Sequence, residues 1–356
     1  MNEKNTKIAL IVPNNLWVCP YVLNYSNILD KKGVQYDIIS WNRANKKELG
    51  IQYTKCERNR GLLGILWSYY LYSRFVKRIL RAGKYDKVIV FSPQLAIFLV
   101  SYLRSHYRGR YIIDYRDLSI EQKPLLGYIF KVALQNSYAN VISSPGFKKY
   151  LPTGIDYIIS HNFNKDLVNQ ALHDKAEPYN GKNTRVLTIG ALRKDMNLEV
   201  IDALGDVEGF EMSFVGKGVS ENLLKDYVRN KGFKNITFTG FYKKEDEAAI
   251  IKEHTLINIV YPLIPSHISA LSNRFYNSLI QKRPMIVTKN TIQGDYAEQY
   301  NVGLVIADFE GLSKQILDYL RNLDFDKYSK QCNLLLEVFL KENIVFENVV
   351  ISFCYN

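Results

Sequence analysis

The feature that most constrains this chain is the regular return of short β-branched runs separated by helical lengths of sequence. In the first half the runs are "KIALIV", "QYDIIS", "KVIVF", "RYIIDY", "NVISS" and "DYIIS". After a polar stretch, "SHNFNKDLVNQALHDKAEPYNGKN", the pattern restarts with "RVLTIG", "FEMSFVG", "NITFTG", "TLINIVY", "PMIVT" and "GLVIA". Strands of a parallel sheet are covered on both faces and read as continuous apolar runs, and each parallel neighbour needs a crossover long enough for a helix. The chain therefore reads as α/β, in two domains: residues 1–162, a linker at 163–183, and residues 184–340. Two helical patterns, about Lys327–Lys341 and Asn343–Cys354, close the sequence, and residues 341–356 are expected to return to the first domain.

At 356 residues, with 47% hydrophobic and 13% aromatic content, there is enough apolar side chain for two cores. The start, "MNEKNTKIALIVPNN", offers only the apolar run Ile8 to Val12, too short for a secretory leader. "LLGILWSYYLYSRFV" and "LAIFLVSYL" fall short of the roughly 20 residues that span a bilayer. We therefore expect a cytoplasmic chain. Cys19, Cys56, Cys332 and Cys354 form no CxxC pair, which points to reduced thiols rather than a zinc site or a disulfide framework. The net charge of +12 is uneven: 25 Lys and Arg face 10 Asp and Glu in residues 1–165, against 22 and 25 in residues 166–356. Such a basic half suits a polyanion or an anionic membrane surface. No nucleic-acid module accompanies it, so nucleic acid is not an expected partner. The segment from Leu62 to Lys84 interleaves aromatics with Arg74, Lys77, Arg78 and Arg81, and reads either as a core helix or as a membrane-facing amphipathic one.

Open parallel sheets bind ligands beyond the carboxyl ends of their strands. The residues expected there are Pro13, Asn14 and Asn15; Ser92 and Pro93; Arg116 and Asp117; Gly190 to Lys194; Gly216; Gly240, Phe241 and Tyr242; and Tyr261. In "SALSNRFYNSLIQKRPMIVT", Leu271, Phe275, Leu279 and Ile280 fall at helical spacing. Asn273 and Arg274 stand in that helix's first turn, where free N–H groups and the helix dipole favour an anion. Arg193 and Lys194 of "GALRKD" would complete a diphosphate clamp with Arg274, although isolated loop charges are often merely solvated. Asp117 reads equally as a helix cap paired with Arg116 or as a polar group facing a substrate. His267 in "PSHISA" reads as an exposed loop histidine or as a group approaching a ligand. Neither GxGxxG nor a Walker motif is present. Asp324-Phe325-Asp326 reads as a helix N-cap, and no metal or other cofactor is expected.

Taken in order, these segments resemble the nucleotide-sugar glycosyltransferases of the GT-B fold, in particular the large retaining family 4 of bacterial capsule and surface polysaccharide synthesis. "IIDYRDL" is similar to the family's strand ending in Arg-Asp or His-Asp, "NVISSPGFKKYL" to its last N-domain helix lead-in, and "IISHNFN" to its Asn-containing entry to the linker. "VLTIGALRKDMNLEVIDAL" resembles its Gly-x-Leu-Arg/Lys loop, followed by "FEMSFVGKG", "NITFTGFYKKED" and "NRFYNSLIQKRPMIVT". The resemblance implies two Rossmann-like domains facing across a crevice. The first would hold a saccharide or lipid-linked saccharide acceptor through Asn14, Asn15, Arg116 and Asp117, on the inner face of the plasma membrane. The second would hold a nucleotide diphosphate sugar through Gly190, Arg193, Lys194, Phe241, Tyr242, Tyr261, His267, Ser269, Asn273, Arg274 and Asn277. Asp117, Arg193 and Arg274 would carry the chemistry, with retention of configuration. The family's helix usually has Glu-x7-Glu, the second Glu holding the ribose hydroxyls and the first the donor sugar, and Ser269 and Asn277 occupy those places here. Asn277 can still bond a diol but without a carboxylate's charge. That departure keeps open a GT-B nucleotide-sugar epimerase and a non-catalytic binding or scaffold homologue.

Overall fold

The computed structural model describes residues 6–55, 61–179, 181–194 and 197–356. Cys56, Asp195 and Met196 lie outside the described residues, as does the side chain of Leu62. The chain divides into two compact units, one made of Met1–Asn162 with Lys341–Asn356 and the other of Phe163–Leu340.

The first unit contains, among the described residues, β1 (Lys7–Val12), β2 (Gln35–Trp41), β3 (Ile51–Tyr53), β4 (Lys87–Phe91), β5 (Tyr111–Tyr115), β6 (Ala139–Ile142) and β7 (Ile158–Ile159). They form one parallel sheet in the order β3-β2-β1-β4-β5-β6-β7. The second unit contains β8 (Thr184–Ile189), β9 (Phe210–Val215), β10 (Ile236–Gly240), β11 (Leu256–Ile259), β12 (Met285–Thr288) and β13 (Leu304–Ile306). Its parallel order is β10-β9-β8-β11-β12-β13. Period-2 alternation sends β8 side chains to two cores: Val186 joins the cluster around Phe210 and Leu224, while Leu187 and Ile189 join the one around Phe275 and Met285.

In each sheet the order of strands reverses once, between β1 and β4 and between β8 and β11. Beyond the carboxyl ends of those pairs the loops diverge to opposite sides and leave room for a ligand. The loops in question are Pro13–Asn15 and Ser92–Gln94 in one unit, and Gly190–Lys194 and Val260–His267 in the other.

Two helices differ from the sequence reading. The stretch opening at Ser269 is not one helix: Pro265–Ser269 forms a short turn of helix, and Asn273–Ile280 a second, because the Ser272 hydroxyl accepts from Phe275 N (3.3 Å) and starts the helix there. The two terminal patterns are one helix, Phe325–Tyr355, capped by Asp324, whose Oδ1 accepts from Lys327 N at 3.0 Å. Its first half puts Tyr328, Cys332, Leu335, Leu336 and Phe339 into the core of the second unit. Its second half puts Phe346, Val350, Phe353 and Cys354 into the core around Ile8 and Leu10.

Candidate functional site

In the second unit three adjacent strands end on glycines with positive φ: Gly190 (100°), Gly216 (132°) and Gly240 (75°). Gly190 N donates to Val215 O (2.8 Å) and Gly216 N to Gly240 O (2.7 Å), so the three strand ends are held as a tier. A Cβ on Gly216 would stand 2.0 Å from Gly190 O, so only glycine permits this backbone approach.

Arg274 is aimed at that tier. It sits in the first turn of the Asn273–Ile280 helix with 7% of its surface exposed. Its Nε donates to Ile189 O (2.5 Å) and its Nη2 to Ala191 O (3.0 Å), so it fastens the loop after β8 to the start of the helix. The sequence reading made Arg274 part of a diphosphate clamp; in the structure two of its three nitrogens are spent on main-chain carbonyls. Nη1 is buried without a hydrogen-bond partner. No carboxylate among the described residues pairs with this guanidinium. Arg193 and Lys194 are exposed on the same loop, and Asn273 is exposed at the helix start.

One turn beyond Arg274, Asn277 donates from Nδ2 to Glu247 Oε2 at 3.0 Å. Tyr242 OH donates to Glu247 Oε1 at 2.8 Å, and Lys244 pairs with the same carboxylate. Burial, reinforced by Glu247, holds the Tyr242 phenol well above its usual range, and Arg274 is near enough to pull the other way. Glu247 lies among the charges of "KKEDEAA", where no motif singles it out. Tyr261 is anchored through Thr288, whose Oγ1 accepts from Tyr261 N (2.9 Å), and its ring meets His267 edge-on with centroids 5.2 Å apart. His267 is thus half-buried on a short helix rather than on an exposed loop. Ser269 is fully buried with no partner for Oγ, and Phe241 is exposed.

In the first unit a cavity of ≈ 230 Å³ lies at the switch point, with Asn14, Arg43, Ser92, Gln94, Arg116 and Asp117 among its lining. Two expectations change here. Arg116 pairs not with Asp117 but with buried Asp114, through Nε to Oδ1 and Nη2 to Oδ2 (2.6 Å), and Nη1 donates to Ser160 O (3.0 Å). Tyr25 OH adds a third bond to Asp114 (2.6 Å). Burial works against the charge of Arg116, but Asp114 outweighs it. Asn15 is fully buried and occupied, donating to Asn42 Oδ1 (2.8 Å) and accepting from Ala44 N (2.9 Å), so it shapes the Asn42–Lys46 loop instead of facing a substrate. Asn14 and exposed Asp117 remain at the cavity. Arg43, stacked 4.0 Å from the Trp41 ring, joins them and carries no motif that would have marked it. Ser92, at φ 110° and ψ 145°, holds a conformation normally left to glycine, a strain that recurs at ligand-facing turns.

A larger cavity, ≈ 630 Å³, opens at the amino ends of β8, β9 and β10, near Asn183, Gly209 and Asn235. It is at the wrong end of the sheet for the glycine tier and Arg274, and the switch-point geometry carries more weight.

Two all-parallel sheets of seven and six strands in tandem are the architecture of the GT-B glycosyltransferases. Among solved structures the chain is similar to a sucrose-phosphate synthase from Thermosynechococcus elongatus (13% identity, 98% of each chain, TM-score 0.73). It is also similar to HepE of Anabaena in complex with UDP and glucose (12% identity, 98% of this chain and 100% of that one, TM-score 0.68). A Listeria monocytogenes structure assigned as a UDP-N-acetylglucosamine 2-epimerase has the fold too (12% identity, 92% of each chain, TM-score 0.60). No family model and no curated protein sequence matches the chain.

Proposed function

We propose that this protein is a glycosyltransferase that moves a sugar from a nucleotide diphosphate sugar to a saccharide acceptor, with the donor in the second unit and the acceptor at the cavity of the first. The observation that carries the reading is Arg274: a buried guanidinium with one orphaned N–H group, at a capped helix start, beside a loop held open by glycines. A diphosphate meets each of these features, accepting from Nη1 and from the helix N–H groups, with Arg193 and Lys194 adding charge from the loop. As the bond from sugar to phosphate breaks, negative charge grows on the departing diphosphate, and cations fixed in advance stabilise it without reorganising. This reading assigns the neutralisation to protein cations rather than to a metal. Retention, by attack of the acceptor on the face the phosphate leaves, belongs to the same reading, with Asp117 as the polar group on the acceptor side.

The finer assignment is a lipid-linked acceptor in bacterial surface polysaccharide synthesis, reached by a chain resting on an anionic membrane. Its support is the helix Gly61–Gly83, on which Leu63, Ile65, Trp67 and Tyr70 are exposed ahead of exposed Arg74, Arg78 and Arg81. No described helix is long and apolar enough to cross a membrane.

The second reading, a nucleotide-sugar epimerase, would use the same diphosphate site, and the Listeria structure favours it. Incubation with UDP- and GDP-sugars, with and without a lipid-linked saccharide, separates the two. Nucleoside diphosphate released together with a glycosylated acceptor supports transfer. An epimerised sugar without acceptor product supports the epimerase, and no turnover with intact nucleotide binding supports a non-catalytic homologue.

A further inference from the structure

We infer that Glu247 is the residue that recognises the ribose hydroxyls of the nucleotide, supplying from a neighbouring helix the carboxylate that position 277 lacks. The inference rests on the nucleotide-sugar reading and adds to it a residue that no sequence motif marks.

The side chain of Glu247 is only 12% exposed, yet three donors converge on it: Tyr242 OH on Oε1, and Asn277 Nδ2 and Lys244 Nζ on Oε2. A carboxylate oxygen accepts about two hydrogen bonds, so Oε2 is filled and Oε1 keeps one place. No donor among the described residues reaches Asn277 Oδ1, which provides a second acceptor next to the first. Two adjacent acceptors, one of them charged, fit a pair of neighbouring hydroxyls, each of which has a proton to donate.

The position agrees with this. Asn277 follows Arg274 by three residues and so lies on the same side of the helix, one turn from the orphaned guanidinium N–H. Tyr242 lies in the loop that follows Gly240, the third member of the glycine tier, and is within electrostatic reach of Arg274. A nucleoside diphosphate presents a diphosphate and a vicinal diol a few bonds apart, and this corner presents a cation and a carboxylate in the same succession. The bonds from Tyr242, Lys244 and Asn277 fix the carboxylate before any ligand arrives, so little order remains to be imposed on binding.

The test is a titration of the intact protein with UDP and GDP and with their 2′-deoxy and 3′-deoxy forms. The wild-type protein should bind the ribose form about tenfold more tightly than at least one deoxy form, the effect of one charge-assisted hydrogen bond. Glu247→Gln, nearly isosteric, should bring that ratio to within about twofold. Should Glu247→Gln not fold, Glu247→Asp, which withdraws the charge by one methylene, takes its place with the same expectation. A variant that discriminates as well as the wild type overturns the inference and leaves the diphosphate reading intact. A wild-type protein that binds both ribose and deoxy forms equally overturns it as well. A wild-type protein that binds none of these nucleotides removes the nucleotide-sugar reading itself.

Discussion

Asn277 and Glu247, 30 residues apart in sequence, share a 3.0 Å hydrogen bond from amide nitrogen to carboxylate oxygen. The bond reverses what the resemblance to family 4 suggests for position 277. There, restoring Glu at 277 would be expected to preserve or improve nucleotide binding. Beside Glu247, however, a second carboxylate loses the amide donor and adds a like charge, so one of the two must take up a proton or turn away. We expect Asn277→Glu to lower nucleoside diphosphate affinity at neutral pH, and Asn277→Leu to lower it too. Calorimetric titration with UDP and GDP reads both, and tighter binding by Asn277→Glu would contradict this account.

Arg274 fastens the loop, and in the proposed function it also contacts the diphosphate. Arg274→Ala should weaken nucleoside diphosphate binding at least about tenfold, since a charge-assisted contact is worth about 1.5–3 kcal/mol. Arg274→Lys should not restore it, because a single ammonium cannot reach Ile189 O and Ala191 O and still present a further N–H in the same plane. Affinity unchanged in both variants, with melting temperatures near wild type, would take Arg274 out of the site.

Gly216→Ala tests the glycine tier. The added methyl meets the carbonyl of Gly190 at 2.0 Å, and a positive φ is unfavourable for alanine by about 1–2 kcal/mol before any clash. The loop after β8 must shift. We expect a melting temperature several degrees lower together with lost nucleotide affinity. Gly154→Ala, at positive φ with open space around it, should lower stability alone. Nucleotide binding undisturbed in Gly216→Ala would show that the loop geometry is not part of the site.

The helix Gly61–Gly83 predicts salt-sensitive attachment to anionic liposomes. Each Lys or Arg near such a surface contributes roughly 1 kcal/mol, and exposed Trp67 and Tyr70 suit the interfacial zone. Changing Arg74, Lys77, Arg78 and Arg81 together to Glu should abolish flotation with anionic vesicles. Equal recovery on neutral and anionic vesicles, or no effect of the four reversals, would favour an acceptor that is not membrane-bound.

Stability should fall on mild acidification. His161 and His254 are both held below the ordinary value of 6.5 by burial, in His161 against the opposing pull of Glu342 at 2.7 Å. The unfolded chain therefore takes up protons near pH 6.5 that the folded protein refuses. Their contribution is complete above that value and is lost as pH falls from it towards the depressed folded values. Melting temperature measured at about pH 7.5 and about pH 5.5 should drop, and His254→Gln should reduce the drop. An identical drop in that variant would assign the loss to other groups.

The strands were legible because burial on both faces demands the β-branched runs that name them. β3, only Ile51–Tyr53, was too short to signal itself. The first turn of the helix at Asn273 was legible, but Leu271, which fits the apolar periodicity, lies outside the helix that the Ser272 hydroxyl starts. The Arg116–Asp114 pair could have been read from strand alternation, since residues two apart at the end of β5 point to the same face. Asn15–Asn42 and Asn277–Glu247 could not, because each joins elements brought together only by the sheet order. The place of Arg274 in a helix's first turn was readable, whereas its two carbonyl bonds were not.

The helix Phe325–Tyr355 has a consequence for how the protein is made. Phe346, Val350, Phe353 and Cys354 share one core with Ile8 and Leu10 of the first strand. On a ribosome the amino-terminal sheet is therefore finished long before the residues that seal it exist. The second unit, contiguous from Phe163 to Leu340, can close on itself first, although it starts later. Until the turn that carries Phe353 emerges, β1 must persist with part of its apolar face uncovered, an interval during which a chaperone has something to hold.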